Sequence, residues 1–204
     1  MLFDDTYRTI IDTSEGVYRD KGSKFLAYGY PFKSETELKP IIANLRNDHA
    51  KARHFCYAYR LTPDRSVFRV NDDGEPSGTA GRPILNCLLS EDVTNILVVV
   101  VRYFGGTLLG VPGLINAYKN ATVNALSSSK VVSKTVNDVY EIAFEYILMN
   151  DVMKLIKDEE LHVLSQNFDI KCTIMFEVRK SQLNQVMAKF SKLEHTKLRY
   201  LHTI

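Results

Sequence analysis

Three stretches of the 204-residue chain carry side chains that core packing does not demand: KGSKF (21–25), NDDGEPSGTAGRP (71–83) and RYFGG (102–106). The middle one holds Gly74, Gly78 and Gly81, Pro76 and Pro83, and three carboxylates, Asp72, Asp73 and Glu75. If Gly78 to Gly81 open a helix, their backbone N–H groups and the helix dipole can receive an anion. Ser77 and Thr79 would add hydroxyl donors there, and Arg82 a cation. The same residues also describe a turn at Asp73-Gly74 and a cap that hold two elements in register. Both readings fit the composition.

The carboxylates suggest Mg²⁺ ligation or paired acid/base work. Their spacing fits no calcium loop, and a solvated acidic turn accounts for them better. With His54 they make a candidate for metal-assisted hydrolysis of a phosphoester or acyl bond, provided that Asp73, Glu75 and His54 converge. In RHFCYAY, His54 and Cys56 lie side by side on one strand face, the spacing of a Cys-His nucleophile pair. Cys56 nonetheless sits in a small-residue row with no assignable oxyanion donors. Neither HExxH nor CxxC occurs, so no metal and no cofactor is assigned.

RYFGG fails the phosphate fingerprints, since GxxxxGK[ST] and GxGxxG are both absent after the strand. What remains is a strand ending in Arg102, two aromatics, a Gly-Gly bend and a helix entered near Pro112. Arg102 there either pairs with Asp72, Asp73 or Glu75, or meets a phosphate from outside.

The net charge of +2 declares no polyanion field overall. It is unevenly placed: Arg46, Lys51, Arg53, Arg60, Arg65 and Arg69 stand against only Asp48 and Asp64 in one stretch, interleaved with Phe55, Tyr57 and Tyr59. Such interleaving suits a nucleic-acid surface, though a strand packed beneath a helix explains the aromatics too. No apolar run approaches the ~18 residues of a membrane span. The acidic N-terminus is unlike a signal peptide, and three scattered cysteines indicate reduced core thiols. The cytoplasm is the expected compartment.

The elements that must position these residues fall into two blocks. After residue 136 the periodicities alternate as β-α-β-β-α-β, with strands in NDVYEIAFEYI, HVLSQNF, IKCTIMFEV and KLRYLHTI. Asn150 and Ser181 are the expected helix caps. That order is the split-βαβ, ferredoxin-like arrangement. Before residue 131 the reading is an opening antiparallel run with Gly16 and Gly22 at turns, then a helix capped by Ser34 with Pro40 kinking it or shifting its start. A hairpin follows around Thr62-Pro63-Asp64, then helix RPILNCLLS, strand NILVVVVRY and helix GLINAYKNATVNALSSS. LVVVV is apolar on both faces, so it belongs inside a covered sheet. SSSKVVSKT is the expected linker.

KGSKF, ARHFCYAYRL, NDDGEPSGTAGRPIL and VVVVRYFGGTLLG, in that order, strongly resemble the IMPACT/YigZ family over essentially the whole chain. The resemblance implies an α+β protein. Its N-terminal domain (1–131) would have the ribosomal-protein second-domain-like fold seen in domain IV of elongation factor G. A ferredoxin-like C-terminal domain (136–204) would be similar to domain V of that factor. It implies a non-catalytic regulator of translation or stress response whose partner is RNA, the ribosome or a translation-associated protein. Eukaryotic relatives restrain the general amino-acid-control kinase by competing for its activator. The matching pattern implies that Lys24, His54, Asp73, Glu75, Ser77, Gly78, Thr79, Arg102, Tyr103, Gly105 and Gly106 form one surface. Where the family reads LGAGGLVRAY, this chain has LGVPGLINAY. Pro112 replaces a glycine and Asn116 an arginine, which removes a potential phosphate contact and leaves more to Arg102 and Lys24. A metal-assisted hydrolase and a protein-only adaptor stand as alternatives.

Overall fold

A computed structural model describes residues 5–169 and 171–204. Contacts divide the chain into two compact units, Tyr7–Lys134 and Thr135–Ile204, the latter joined by residues 5 and 6.

The first unit contains β1 (Thr6–Ile10), β2 (Ser14–Asp20), β3 (Ser23–Pro31), α1 (Leu38–Asp48), β4 (His54–Leu61), β5 (Val67–Asn71), α2 (Gly81–Ser90), β6 (Ile96–Tyr103), α3 (Gly110–Ser127) and β7 (Val131–Thr135). Five strands form one sheet in the order β2-β3-β6-β4-β5, every pairing antiparallel. β6 lies at its centre, and ILVVVV is wholly buried because both faces are covered. Val98 and Val100 meet Ile84, Leu88, Ala117 and Tyr118 of α2 and α3, while Leu97, Val99 and Val101 join Leu45 of α1 with Phe55, Tyr57 and Tyr59. A strand with two buried faces has no polar alternation to show.

Two glycines behave differently from one another. Gly22 closes the β2–β3 hairpin with Lys21, at φ 80° and 43°, the positive pair that a two-residue turn of matching twist requires. Gly16 is not at a turn. It lies inside β2, where an added Cβ would stand 2.2 Å from the backbone N of Ala125, so its lack of a side chain lets β2 pack on α3. The expected linker is also corrected: VVSKT is strand β7, paired with β1, and Val131 packs on the core that includes Ile10. Ser34 caps a 3₁₀ turn in a capping box with Glu37, and α1 proper begins at Leu38 with Pro40 in its first turn.

The second unit contains β8 (Asn137–Phe144), α4 (Met149–Asp158), β9 (His162–Phe168), β10 (Cys172–Arg179), α5 (Leu183–Phe190) and β11 (Lys197–Thr203), in sheet order β11-β8-β10-β9. Ile142, Phe144, Ile174, Phe176 and Val178 share one sheet face and close over Val152, Ile156, Val186 and Phe190 of the helices. Asn150 and Ser181 do not cap these helices. Each helix is led in by a 3₁₀ turn, which places both residues inside a helical turn rather than before one. Asp5 accepts from the Ser181 backbone N–H at 3.0 Å and takes the Arg179 fork at 2.8 Å on each oxygen. The Arg179 hydrogen bond holds its carboxyl well below the usual carboxylate range. Among the described residues no helix is long and apolar enough to cross a membrane.

Candidate functional site

The NDDGEPSGTAG loop joins β5 to α2, and its first aspartate organises it. The Asp72 carboxylate accepts from the backbone N–H of Gly78 (2.9 Å), Ala80 (3.0 Å) and Gly81 (2.8 Å). The helix N-terminus that the sequence offers to an external anion is therefore filled by the chain's own carboxylate. Thr79 is likewise turned inward, its hydroxyl donating to the Pro76 carbonyl at 2.7 Å. Ser77, Gly78 and Arg82 are exposed. Asp72→Ala removes three acceptor contacts from one helix start, so a stability loss of about 2 kcal/mol is expected, the upper end for a lost cap. Urea unfolding measures it, and a loss below about 0.5 kcal/mol would show that α2 does not depend on this carboxylate.

Asp73 and Glu75 point to different arginines. Asp73 holds Arg46 Nη2 between its two oxygens (3.0 and 2.9 Å) and accepts from the Phe55 backbone N–H at 2.7 Å. Its carbonyl oxygen lies 2.9 Å from His54 Nδ1. A carbonyl only accepts, so Nδ1 carries the hydrogen and Nε2 is left for another partner. Glu75 Oε1 lies 2.6 Å from Arg102 Nη1 and accepts from the Tyr118 hydroxyl at 2.8 Å. Both side chains of the Glu75–Arg102 pair are buried. Cys56 Sγ completes the chain of contacts, 3.0 Å from the Asp72 carbonyl oxygen and 3.3 Å from Tyr118 Oη, with one S–H to donate between them.

This network bears on the two catalytic alternatives. Cys56 is fully buried, and burial pushes its thiol and the Tyr118 hydroxyl up, which disfavours the thiolate that a nucleophile needs. Asp73, Glu75 and His54 do not converge as a metal-ligand set, because each carboxylate is already held by an arginine. Among the described residues no group of three His, Cys, Asp or Glu side chains is placed to hold an ion.

The end of β6 opens on a cleft of about 530 Å³. Lys51 and Arg53, in the segment between α1 and β4, line it together with His54. The Glu75–Arg102 pair and Gly74 line it as well, and Tyr103, Phe104 and Leu108 supply an aromatic and apolar wall. Lys51 and Arg53 are exposed and have no ion pair among the described residues. Arg102 Nε is buried without an acceptor, and the Phe25 and Phe104 rings each lie 5.5 Å from its guanidinium carbon.

Lys24 does not belong to this cleft. In β3 it pairs across from Tyr103, whereas Phe25 pairs across from Arg102. Strand alternation therefore sends Lys24 to the α1 face of the sheet, opposite Arg102 and His54. Gly105 and Gly106 shape the corner. An added Cβ on Gly105 would stand 1.9 Å from the Gly22 carbonyl carbon, and the Gly105 N–H donates to Ser23 Oγ at 3.1 Å. Gly106 has φ 87°. KGSKF and RYFGG thus meet at two glycines. Asn116 lies on α3, with Nδ2 3.4 Å from Tyr18 Oη, and Pro112 sits in that helix's first turn.

Arg46 entered the sequence reading only as one charge of the basic stretch, and His49 was given no role in it. His49 bridges two tyrosines, Nε2 to Tyr28 Oη and Nδ1 to Tyr103 Oη, each at 2.9 Å. Arg46 lies in the last turn of α1 and His49 directly follows it, where basic side chains read as a solvated helix end.

A family model described as the Impact N-terminal domain matches residues 21–126, which contain every cleft residue. The YigZ member of the IMPACT family from Escherichia coli is 31% identical over 183 residues, 89% of this chain and 90% of that protein. An IMPACT family member from Haemophilus influenzae is 29% identical over 174 residues, 84% of each. A crystal structure described as a hypothetical protein aligns with 97% of this chain and 97% of its own, at TM-score 0.71 and 26% identity. With KGSKF, DGEPSGTAG and RYFGG gathered around one corner, and with this identity spread over both units, the chain belongs to the IMPACT family.

Proposed function

We propose that this protein is a non-catalytic regulator of translation or stress response that binds RNA or the ribosome through the cleft at the end of β6. One observation carries the reading: Lys51 and Arg53 are unpaired cations beside the cleft, while Arg102 is neutralised by Glu75. The charge available to an outside phosphate therefore lies in the 51–53 segment and not in RYFGG. The family resemblance supplies the translational context. The β-α-β-β-α-β order of the second unit and its sheet order support a ferredoxin-like fold there. A ribosomal-protein second-domain-like fold for the first unit belongs to the same reading.

The test is binding of total RNA and of ribosomes across a salt series. Each phosphate contact on a single strand contributes about 0.7 to the logarithmic salt slope. The Lys51→Ala/Arg53→Ala double variant is expected to lower that slope by about 1.4 and to weaken binding at every salt concentration. Unchanged slope and affinity would remove the cleft from the function. An adaptor reading has its own support in an apolar groove of about 410 Å³ between α2 and α3, lined by Ile115, Val123 and Leu126. Salt-insensitive capture of a protein partner would favour it.

A further inference from the structure

The cleft has two unlike walls. Lys51 and Arg53 present charge, while Phe104 and Leu108, 54% and 82% exposed, present apolar surface to water beside them. A ligand that is only a polyanion uses the first wall and leaves the second wet. In a duplex the base faces are stacked away, so an aromatic side chain has nothing planar to meet.

We propose that the cleft receives one unstacked nucleotide of single-stranded RNA, its phosphates on Lys51 and Arg53 and its base on Phe104. This deepens the RNA-binding reading and rests on it. At about 530 Å³ the cleft lies within the range of sites that enclose a small ligand. The Arg102 guanidinium, its carbon 5.5 Å from the Phe104 ring, packs against the stacking platform and helps to fix it. One polar atom of the cleft, His54 Nε2, has no partner among the described residues. A base edge offers it one. The Gly105-Gly106 bend directly after Phe104 holds it at the rim, where a core aromatic would be turned inward.

The test is fluorescence anisotropy with labelled RNA of about 12 nucleotides, as oligouridylate, oligoadenylate and a duplex of the same length, with polyphosphate as a pure polyanion. Wild type and the variants Phe104→Ala, Phe104→Trp and Lys51→Ala/Arg53→Ala are compared. The single strands are expected to bind at least tenfold tighter than duplex or polyphosphate. Phe104→Ala is expected to weaken single-strand binding roughly tenfold to a hundredfold with the salt slope unchanged, and Phe104→Trp to restore it. Far-UV circular dichroism checks that the exposed substitution leaves the fold intact. If Phe104→Ala binds single strands as wild type does, or duplex binds as tightly as single strand, the stacked-nucleotide proposal is overturned. The salt-dependent loss in the Lys51/Arg53 variant would then leave the polyanion reading standing. Absence of binding to every RNA and to polyphosphate overturns both.

Discussion

Glu75→Gln is expected to lower the stability of the first unit by about 3–5 kcal/mol, the range for breaking a buried ion pair by removing one partner. Glutamine keeps a carbonyl oxygen for the Tyr118 hydroxyl but leaves the Arg102 guanidinium, already carrying one unmatched N–H, buried without its counter-charge. Arg102→Met should cost a similar amount, because it strands the carboxylate instead. The double variant should cost clearly less than the sum, since each single change carries the penalty of the abandoned charge. Calorimetric unfolding of the four proteins measures this, with the two units' transitions analysed separately. Losses under about 1 kcal/mol would mean that the pair contributes no more than a surface salt bridge, and Arg102 would return as a candidate ligand group. The same experiment warns against reading Arg102→Ala as a binding variant. Its effect on affinity is inseparable from its effect on the fold.

The central strand was legible for a simple reason. Ile96 to Val101 carry no polar residue, and only a strand covered on both faces tolerates that. The β-α-β-β-α-β block was legible because each element keeps its own period. What stayed hidden depended on contacts far along the chain. Gly16 looks like a turn because a glycine in a short polar run usually is one, yet its role is set by the approach of α3, more than a hundred residues later. β7 looks like a linker because its polarity is mixed, and only its pairing with β1 makes it a strand. The caps at Asn150 and Ser181 failed locally, because 3₁₀ turns moved both helix starts.

At the cleft, the motifs singled out in the sequence do meet in space, but several of their partners differ from the expected ones. Glycines, prolines and carboxylates at that density announce a special loop, but not which carboxylate does what. Asp72 fills the helix N-terminus, Asp73 goes to Arg46 and Glu75 to Arg102. Only the last was among the pairings considered. Lys24 was grouped with Arg102 because both lie in the matching pattern. Register decides otherwise, since neighbouring positions of one strand face opposite sides of the sheet. Lys51 and Arg53 were visible as charge, but the pairing of Arg46, Arg60 and Arg65 with aspartates had to be seen before these two stood out.

Gly105→Ala is expected to be the most damaging single-methyl change in the site. The added carbon would stand 1.9 Å from the Gly22 carbonyl carbon and 2.1 Å from the Ser23 backbone N, and neither is a side-chain end that can swing away. The β2–β3 hairpin corner must retreat from the end of β6. That endangers the Ser23 Oγ bond to the Gly105 N–H and shifts Tyr103, Phe104 and Leu108 together. Overpacking of this kind costs about 1–3 kcal/mol, with the upper end or beyond expected where backbone meets backbone. Gly106→Ala is the informative control, because nothing lies within 4 Å of its added carbon and only its φ of 87° is strained. It should cost about 1–2 kcal/mol and leave the hairpin corner in place. Thermal unfolding separates the two variants, and amide chemical shifts of residues 20–25 show whether the corner moved. If Gly105→Ala is no more destabilising than Gly106→Ala and leaves those shifts unchanged, then KGSKF and RYFGG do not meet in solution as they do here. The cleft would then lose the contact that fixes its aromatic wall.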